Sequence, residues 1–147
     1  MKVLSLIIFT VSVFSIFSCK SSKTTVESSI ADGNVVIYDD VVLFSDVDIK
    51  PVFNGKDADV GFGEYVVQKI SYPIEAMARK ITGQVVVEFI ITKDGSIDGV
   101  KVVRSVHRLL DAEAVRTIKG SPNWSPGIQH GEKVNVKHQI DVTFSLK

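Results

Sequence analysis

One stretch of the sequence, Gly83 to Val106, constrains the fold most, because it predicts a β-hairpin whose first strand is apolar on both faces. One face carries four apolar residues and the other carries two: Val85, Val87, Phe89 and Ile91, and Val86 and Ile90. A strand that is apolar on both faces belongs inside a sheet. The turn falls at Lys93-Asp94-Gly95-Ser96, because aspartate and glycine tolerate the positive φ of a tight hairpin. In the return strand, Asp98-Gly99 interrupts the alternation and predicts a β-bulge.

Two helices flank this hairpin in the sequence. The first is predicted to begin at Tyr72-Pro73, since proline suits the first helical position, and to end at a left-handed cap on Gly83. The second is predicted to begin with Asp111 as its N-cap and to stop at Gly120. After it, Trp124 is expected to pack against the sheet and pin its loop rather than to stack on a ligand.

The last segment, Lys133 to Leu146, alternates apolar and polar residues along its whole length, which predicts a long, half-buried strand. It follows a helix that follows the second hairpin strand, so a right-handed crossover places it on the far side of the first hairpin strand. The predicted strand order is therefore 2-1-3. In that order the last strand lies at the edge of the sheet, where a row of backbone N–H and C=O groups faces outward.

The first 18 residues predict a leader for export. Met1-Lys2 is positively charged, and the uncharged apolar run from Val3 to Phe17 is shorter than the roughly 20 residues that span a bilayer as a helix. Ser18-Cys19 resembles the lipobox of bacterial lipoprotein precursors, which predicts a signal peptide over residues 1–18 and lipid attachment at Cys19. An ordinary membrane anchor and an incidental cysteine are the alternatives. Cys19 is the only cysteine, so the chain cannot form an internal disulfide.

The chain between the leader and the main domain divides into two segments. Residues 19–45 begin with the serine- and threonine-rich Lys20 to Asn34, which predicts a flexible, lipid-anchored tether. The β-branched residues of Val35 to Phe44 predict an additional strand that could cover the second apolar face of the hairpin. Residues 46–71 form a lead-in whose apolar spacing from Asp57 to Ile70 is typical of a helix, although two glycines disfavour it. The main domain is expected to comprise residues 72–147.

Composition and the spacing of reactive residues argue against catalysis, metal binding and nucleic-acid binding. Lysine plus arginine equals aspartate plus glutamate at 17 each, so no basic excess is available to neutralise phosphates. His107, His130 and His138 lack the spacing of metal ligands, and His138 is expected to be a hydrogen-bonded, partly buried residue. The sequence contains no nucleophile paired with a base and no phosphate loop, so it predicts neither an enzyme nor a bound cofactor.

From Tyr72 to its end, the chain resembles the C-terminal domain of TonB, the energy transducer of Gram-negative envelopes. The matching residues, in the order and spacing of that family, are Tyr72-Pro73, Ala76, Ile81-x-Gly83, Asp94-Gly95, Val100-x-Val102, Ser105, Leu110-Asp111-x-Glu113-Ala114, Trp124-x-Pro126-Gly127, Gly131 and Val142-x-Phe144-x-Leu146. Upstream, Val47-Asp48 and Pro51-x-Phe53-x-Gly55 resemble the lead-in of Bacteroidetes-type members. The resemblance implies an α+β fold in which a three-stranded antiparallel or mixed sheet has two helices packed on one face.

The same resemblance implies a binding function. A short segment of an outer-membrane receptor, the TonB box, is expected to add to the last strand by β-augmentation, which links the protein to transmembrane transport. The implied partner-binding residues are Val134, Val136, His138, Gln139, Ile140 and Val142 of that strand, together with Gln68 and Tyr72. Relatives also form dimers through the same strands, so a homodimer is a second expected use of this edge.

The chain departs from an orthodox transducer in three respects. Gln68-Lys69-Ile70-Ser71 stands where the archetype carries a glutamine-proline contact to the receptor. A lipid and a short tether are expected in place of a membrane-spanning helix and a long proline-rich spacer, and a lipid in one leaflet cannot sense a motor inside a bilayer. Asp141 stands where many relatives carry proline, which leaves one more backbone donor on the last strand. The expected protein is a periplasmic lipoprotein anchored to the outer membrane or, alternatively, to the inner membrane. The alternative function is a structural envelope lipoprotein whose sheet docks permanently in an assembly without energy transduction.

Overall fold

The structure, a computed structural model, describes residues 25–31 and 34–146. These residues form β1 (Thr25–Ala31), β2 (Asn34–Leu43), β3 (Val52–Phe53), β4 (Lys56–Asp57), α1 (Ala58–Lys69), α2 (Ile74–Ala78), β5 (Gly83–Ile91), β6 (Ile97–Arg104), α3 (Arg108–Lys119), β7 (Gly127–Gln129) and β8 (Glu132–Phe144). The predicted leader and Cys19 lie outside the described residues. Within the described ranges, no helix combines the length and the apolar composition needed to cross a membrane.

β5 is an interior strand of the main sheet, with a paired strand on each side, as the sequence predicts. Its two faces are both buried, four side chains on the face that packs against the helices and two on the other: Val85, Val87, Phe89 and Ile91, and Val86 and Ile90. β6 returns antiparallel to β5 with shifts in register, and Gly99 has the positive φ of +58° that suits the predicted bulge. A β-carbon on Gly95 in the turn would lie 2.0 Å from the backbone oxygen of Trp124, so only glycine fits there.

The main sheet is larger than predicted. Its strand order is β1-β2-β8-β5-β6, and β7 also pairs with β8. The three predicted strands β6, β5 and β8 are neighbours with β5 between the other two, but the prediction of a three-stranded sheet is wrong. β8 runs antiparallel to β5, whereas β2 pairs with β8 in parallel through residues 41–43. For this reason, the prediction that β8 forms the sheet edge along its whole length is also wrong.

The N-terminal hairpin explains why the sheet continues past β8. Tyr38 and Val41 of β2 pack against Ile90, which confirms that this segment covers the second apolar face of the central hairpin. β1 pairs antiparallel with β2, so the prediction of a flexible tether is wrong for residues 25–31. A serine-rich segment can form this strand because backbone groups, rather than large apolar side chains, supply the pairing with β2.

The lead-in contains a helix, α1, so the described residues form three helices rather than the two expected. Asp57 caps α1 by accepting a hydrogen bond from the Asp59 N–H at 3.0 Å. Phe62 lies on the inner face of α1 and is buried in the core. A β-carbon on Gly61 would lie 2.8 Å from the backbone oxygen of Phe53. The glycine that disfavours a helix in the sequence therefore allows α1 to approach β3 closely.

The two predicted helices differ from the structure at their ends. α2 is short, and Lys80 adopts the left-handed conformation with a φ of +55°, so Gly83 begins β5 instead of capping the helix. The N-cap of α3 is His107, not Asp111. Asp111 lies in the first turn of α3, where its carboxylate accepts a hydrogen bond from the Val106 N–H at 3.2 Å. The carboxylate therefore ties the end of β6 to α3.

An aromatic cluster joins the helices to the sheet. Its members are Phe53, Phe62, Phe89 and Trp124, and the ring centroids of the pairs in contact are 4.8 to 6.1 Å apart. The Trp124 backbone N–H donates to the Gly95 C=O at 2.7 Å, which confirms that Trp124 pins its loop against the sheet. Each buried aromatic side chain contributes roughly 1.5 to 3 kcal/mol through removal from water. The cluster thus fixes the position of α1 over the sheet.

Candidate functional site

The two sides of β8 are covered unequally. β5 pairs with its inner side from Val136 to Phe144 without a shift in register. β2 covers the outer side at residues 135–137, and β7 pairs with residues 132–134. For residues 138–144, the described part of the chain provides no second neighbouring strand. The outer side of residues 138–144 is called the open edge below.

Three residues present backbone groups at the open edge. The N–H and C=O groups of successive residues in a strand point to opposite sides. The Lys137 C=O accepts a hydrogen bond from the Phe44 N–H at 3.1 Å, so Lys137 faces outward. Gln139, Asp141 and Thr143 therefore also face outward, and each offers one N–H and one C=O. The residues between them face inward and pair with β5.

A groove of about 800 Å³ borders this edge and extends past β5 to β6. Its lining comes from α1, β5, β6 and β8: Asp59, Gly63, Val86, Val103, Arg104, Gln139, Ile140 and Asp141. The groove is wide, open to solvent and lined by polar and apolar groups together. This character suits an extended peptide, which pairs through its backbone, better than a small molecule that must be enclosed.

Helix α1 forms one wall of the groove. Asp59, Gly63 and Val67 follow one another at intervals of four residues, so they lie within about 80° of each other around the helix. Apart from the backbone of α1 and the two neighbouring residues, no described atom lies within 4 Å of the place that a β-carbon on Gly63 would take, and Val67 is 77% exposed. Gln68 lies about 180° from Asp59 on the same helix. Gln68 therefore points away from the groove.

His138 stands at the start of the open edge with its side chain buried. Only 5% of the residue is exposed, and its ring lies 4.1 Å from that of Phe44 between centroids. Nε2 has no hydrogen-bond partner among the described residues, and an Asp59 carboxylate oxygen lies 3.5 Å away. The expectation of a hydrogen-bonded histidine is therefore wrong for Nε2. Burial lowers the pKa of His138 and outweighs the Asp59 charge, which raises it; Lys50 lowers it further and Asp57 raises it.

The opposite wall of the groove carries a charged pair that is joined through an amide. The Arg104 guanidinium donates to Gln84 Oε1 at 2.7 Å, and Gln84 Nε2 donates to the Asp141 carboxylate at 3.1 Å. One positive and one negative side chain are therefore held close together on this wall. Their charges largely offset each other, whereas Asp59 on the α1 wall faces a neutral histidine.

The structure divides the predicted partner-binding residues of β8. Gln139 and Ile140 line the groove, and His138 begins the open edge. Val134 and Val136 instead pack with Val47 in a buried cluster, and β7 and β2 pair with the backbone there. The first four residues of the predicted binding surface, 134–137, therefore do not belong to the open edge.

The remaining predicted residues lie away from the groove lining. Val142 is buried on the face of β8 that packs against the helices. Tyr72 packs edge-to-face on Phe144, and its hydroxyl donates to the Ile81 C=O at 2.5 Å, so it acts in the structure as a packing residue. Within residues 25–31 and 34–146, no group of acidic, histidine or cysteine side chains is arranged to hold a metal ion.

Sequence reasoning did not identify five residues that line the groove: Asp59, Gly63, Val86, Val103 and Arg104. Asp59 and Gly63 are separated from the open edge by more than 70 residues, so no local spacing connects them with it. The interval of four residues between Asp59 and Gly63 is a signal that they share one helix face, but it does not show what that face borders.

Similarity to known proteins identifies the family. The family model for the Gram-negative bacterial TonB protein C-terminal matches residues 68–146, more than half of the chain. The chain therefore belongs to the TonB C-terminal family. It is 36% identical over 83 residues to the protein TonB of Helicobacter pylori strain J99, and this stretch covers 56% of the chain and 28% of that protein. The chain thus spans little more than a quarter of the length of this relative.

Two solved structures are also similar to the chain. The solution NMR structure of a Helicobacter pylori TonB C-terminal domain is 30% identical, with a TM-score of 0.46, over 58% of this chain and 77% of that one. The solution NMR structure of the Pseudomonas aeruginosa TonB C-terminal domain is 30% identical, with a TM-score of 0.48. It covers 72% of this chain and 94% of its own.

Proposed function

We propose that this protein binds an extended segment of a partner protein as an additional strand on the open edge of β8. The proposal rests on the outward-facing backbone groups of Gln139, Asp141 and Thr143, which have no strand partner within the described residues. Unpaired backbone groups at a sheet edge are a template for another strand, and strand addition is a recurring mode of peptide recognition. Membership of the TonB C-terminal family supports the same function.

The proposed partner is the N-terminal segment of an outer-membrane receptor that carries a TonB box, and the proposed role is in transport across the outer membrane. The seven residues of the open edge extend over about 23 Å, which accommodates a short segment. The proposed location is the periplasmic face of the outer membrane, with a lipid on Cys19 as the anchor. Mass spectrometry of the N-terminal peptide tests the anchor, because lipidation adds the mass of the acyl chains to Cys19.

Peptide titration tests strand addition directly. Peptides of about fifteen residues from receptor N-termini are titrated with the full chain, and binding is followed by fluorescence anisotropy. Asp141→Pro removes an outward-facing N–H and leaves the inward-facing amides in place, so we expect at least about tenfold weaker binding. Asp141→Ala is the matched control, because it removes the same carboxylate but keeps the N–H.

Two outcomes contradict the proposal. One is equal affinity of the proline and alanine variants for every peptide that binds, and the other is the absence of binding by all peptides. Sedimentation of the free protein is the accompanying measurement, since a homodimer through the open edge would occupy the same backbone groups. In that case peptide affinity should fall as protein concentration rises.

A second candidate function, a structural envelope subunit, is favoured by a different observation. Ile74 is 84% exposed, and Met77 on the same short helix is also exposed, so α2 presents apolar side chains to solvent. Exposed apolar groups suit a permanent interface. A structural subunit should copurify with one partner at fixed stoichiometry, and Ile74→Glu should abolish this while leaving peptide affinity unchanged. Reversible peptide binding in the micromolar range indicates the first function instead.

A further inference from the structure

We infer that the strand bound at the open edge carries a lysine or arginine whose charged group binds Asp59. The inference rests on the proposed function, because it specifies the partner of the same edge. It concerns the α1 wall of the groove, where Asp59 is exposed and the buried Nε2 atom of His138 lies 3.5 Å from its carboxylate. This pair is called the acceptor pair below.

The first observation is that the charge of Asp59 is uncompensated. Its side chain is 68% exposed and lines the groove. Among the described residues, Asp59 forms no ion pair with a lysine or an arginine. His138 does not neutralise it, because burial lowers the pKa of the imidazole and keeps it uncharged at pH 7. Asp57, two residues earlier, adds a second carboxylate at the same end of α1. Asp57 and Asp59 therefore place two carboxylates at this end of α1.

The second observation is the unpaired nitrogen of His138. Buried polar atoms are nearly always hydrogen-bonded, so an unpaired one indicates a partner that is absent from the chain itself. A neutral imidazole with its proton on Nδ1 offers Nε2 as an acceptor. Nε2 and the Asp59 oxygen are 3.5 Å apart, and the exposed Asp59 side chain can rotate to admit a group between them. Two neighbouring acceptors suit one ammonium or guanidinium group, which has several donors.

The rest of the groove allows a side chain to reach this pair. Alternate side chains of an added strand point to the same face, so every second residue of the guest faces α1. Gly63 leaves space on that wall. The charged residues of the other wall, Arg104 and Asp141, are joined through Gln84. Lys50 lies 4.8 Å above the Phe44 ring and forms no ion pair with Asp59 among the described residues.

Selection from a random library of displayed heptapeptides tests the inference. The full chain is immobilised, and peptides that also bind Asp141→Pro are removed, so that only peptides dependent on the open edge remain. We expect lysine and arginine to be enriched at one position of these peptides. Selection on Asp59→Asn should lose the enrichment, and selection on Asp59→Lys should replace it with aspartate and glutamate.

Affinity measurements on one selected lysine peptide provide the second readout. Asp59→Asn should weaken binding about threefold to tenfold, the range for a partly exposed charge pair, and high salt should reduce the difference. Replacing the lysine of the peptide by norleucine should have the same effect, and the two changes together should cost no more than either alone. Glu132→Gln, which removes an exposed carboxylate from the other end of β8, is the matched control and should leave affinity unchanged.

The outcomes separate this inference from the proposed function. Edge-dependent peptides without a basic residue, or with equal affinity for Asp59→Asn, overturn the inference and leave strand addition standing. The absence of any peptide that depends on Asp141 overturns both. Charge reversal in the Asp59→Lys selection supports both.

Discussion

The covered and open halves of β8 belong to one strand with one alternating pattern, yet they differ in what lies beside them. At residues 135–137, β2 pairs with the backbone, and Val136 is buried against Val47. After Phe44 the chain turns away, with the Asp46 N–H donating to the Leu43 C=O, and the outer side of β8 is left without a paired strand among the described residues. The openness of an edge is therefore decided by where a distant segment stops, and not by the strand itself.

Hydrogen exchange should show the largest difference between the two sides of β8, because neighbouring amides of residues 138–144 point alternately toward β5 and toward the open edge. The amides of Gln139, Asp141 and Thr143 should exchange at least about 1000-fold faster than those of the intervening residues, which pair with β5 and exchange only through larger unfolding. NMR of the amide-labelled protein measures this. Strong protection at Asp141 would contradict an open edge, and protection that grows with protein concentration would indicate a dimer.

Proline substitutions at inward-facing and outward-facing residues of β8 should lower the free energy of unfolding by different amounts. Ile140→Pro removes an inward-facing N–H and disrupts the pairing of β8 with β5, so we expect a loss of about 3 kcal/mol or more in the free energy of unfolding. Asp141→Pro should cost much less, because its N–H faces outward. Urea denaturation measures both. Equal losses would show that the assignment of inward and outward amides is wrong.

Release of β2 should extend the open edge. Val41 is buried against Tyr38 and Ile90, so Val41→Asp places a carboxylate in an apolar contact and should cost about 2 to 4 kcal/mol of the stability of the β1–β2 hairpin. The Phe44 amide should then lose its protection from exchange. Leu43→Asp, at a largely exposed position of the same strand, is the control and should retain protection. Unchanged protection in both variants would show that other contacts hold β2 on β8.

The smallest expected effect is the contribution of His138 to the pH dependence of the free energy of unfolding. Burial lowers the pKa of His138 in the folded state below its usual value of 6.5, so the unfolded chain binds more protons between these two values. The free energy of unfolding should therefore be highest above pH 6.5 and decrease as the pH falls toward the folded-state pKa. The slope for one proton is at most about 1.4 kcal/mol per pH unit.

A comparison of two histidine variants checks this contribution. His138→Phe should remove it, because phenylalanine suits the same aromatic surroundings and has no proton to bind. His130→Gln changes an exposed histidine and should retain the slope. The charged groups that face His138 are Asp59, Asp57 and Lys50. Asp59→Asn removes a charge that favours protonated His138 in the folded state, so the free energy of unfolding should decrease more as the pH falls below 6.5. The same slope in all variants would assign the pH dependence to other groups.

The sequence predicts the parts of the fold in which the pattern is local. The two apolar faces of β5, the alternation of β8 and the glycine turn at Gly95 each follow from neighbouring residues, and the structure confirms them. The packing of Trp124 against the sheet is also confirmed, although its hydrogen bond to Gly95 joins two segments that are far apart in the sequence. The sequence predicts the ends of α2 and α3 less well. Lys80 adopts a left-handed conformation after α2, and His107 is the N-cap of α3, and other residue types are more common in both roles.

The parts that the sequence does not predict depend on contacts between distant segments. The serine-rich composition of β1 indicates a tether, although Asp32-Gly33 between the two strands is a hairpin signal that could have been used. The parallel pairing of β2 with β8 joins segments more than 90 residues apart, and nothing in either pattern specifies it. The contact of Asp59 with His138 is equally non-local. The strand of the candidate site was therefore predictable, whereas its boundaries and charges were not.

The unbroken run of nine residue pairs between β5 and β8 has a mechanical consequence. A polypeptide seated on β8 and pulled along its length would load its hydrogen bonds in shear, so that all of them resist together. The same polypeptide pulled sideways would peel away one bond at a time. In the proposed complex, the guest strand would therefore resist tension along β8 more strongly than tension across it, while the nine pairs hold β8 to β5.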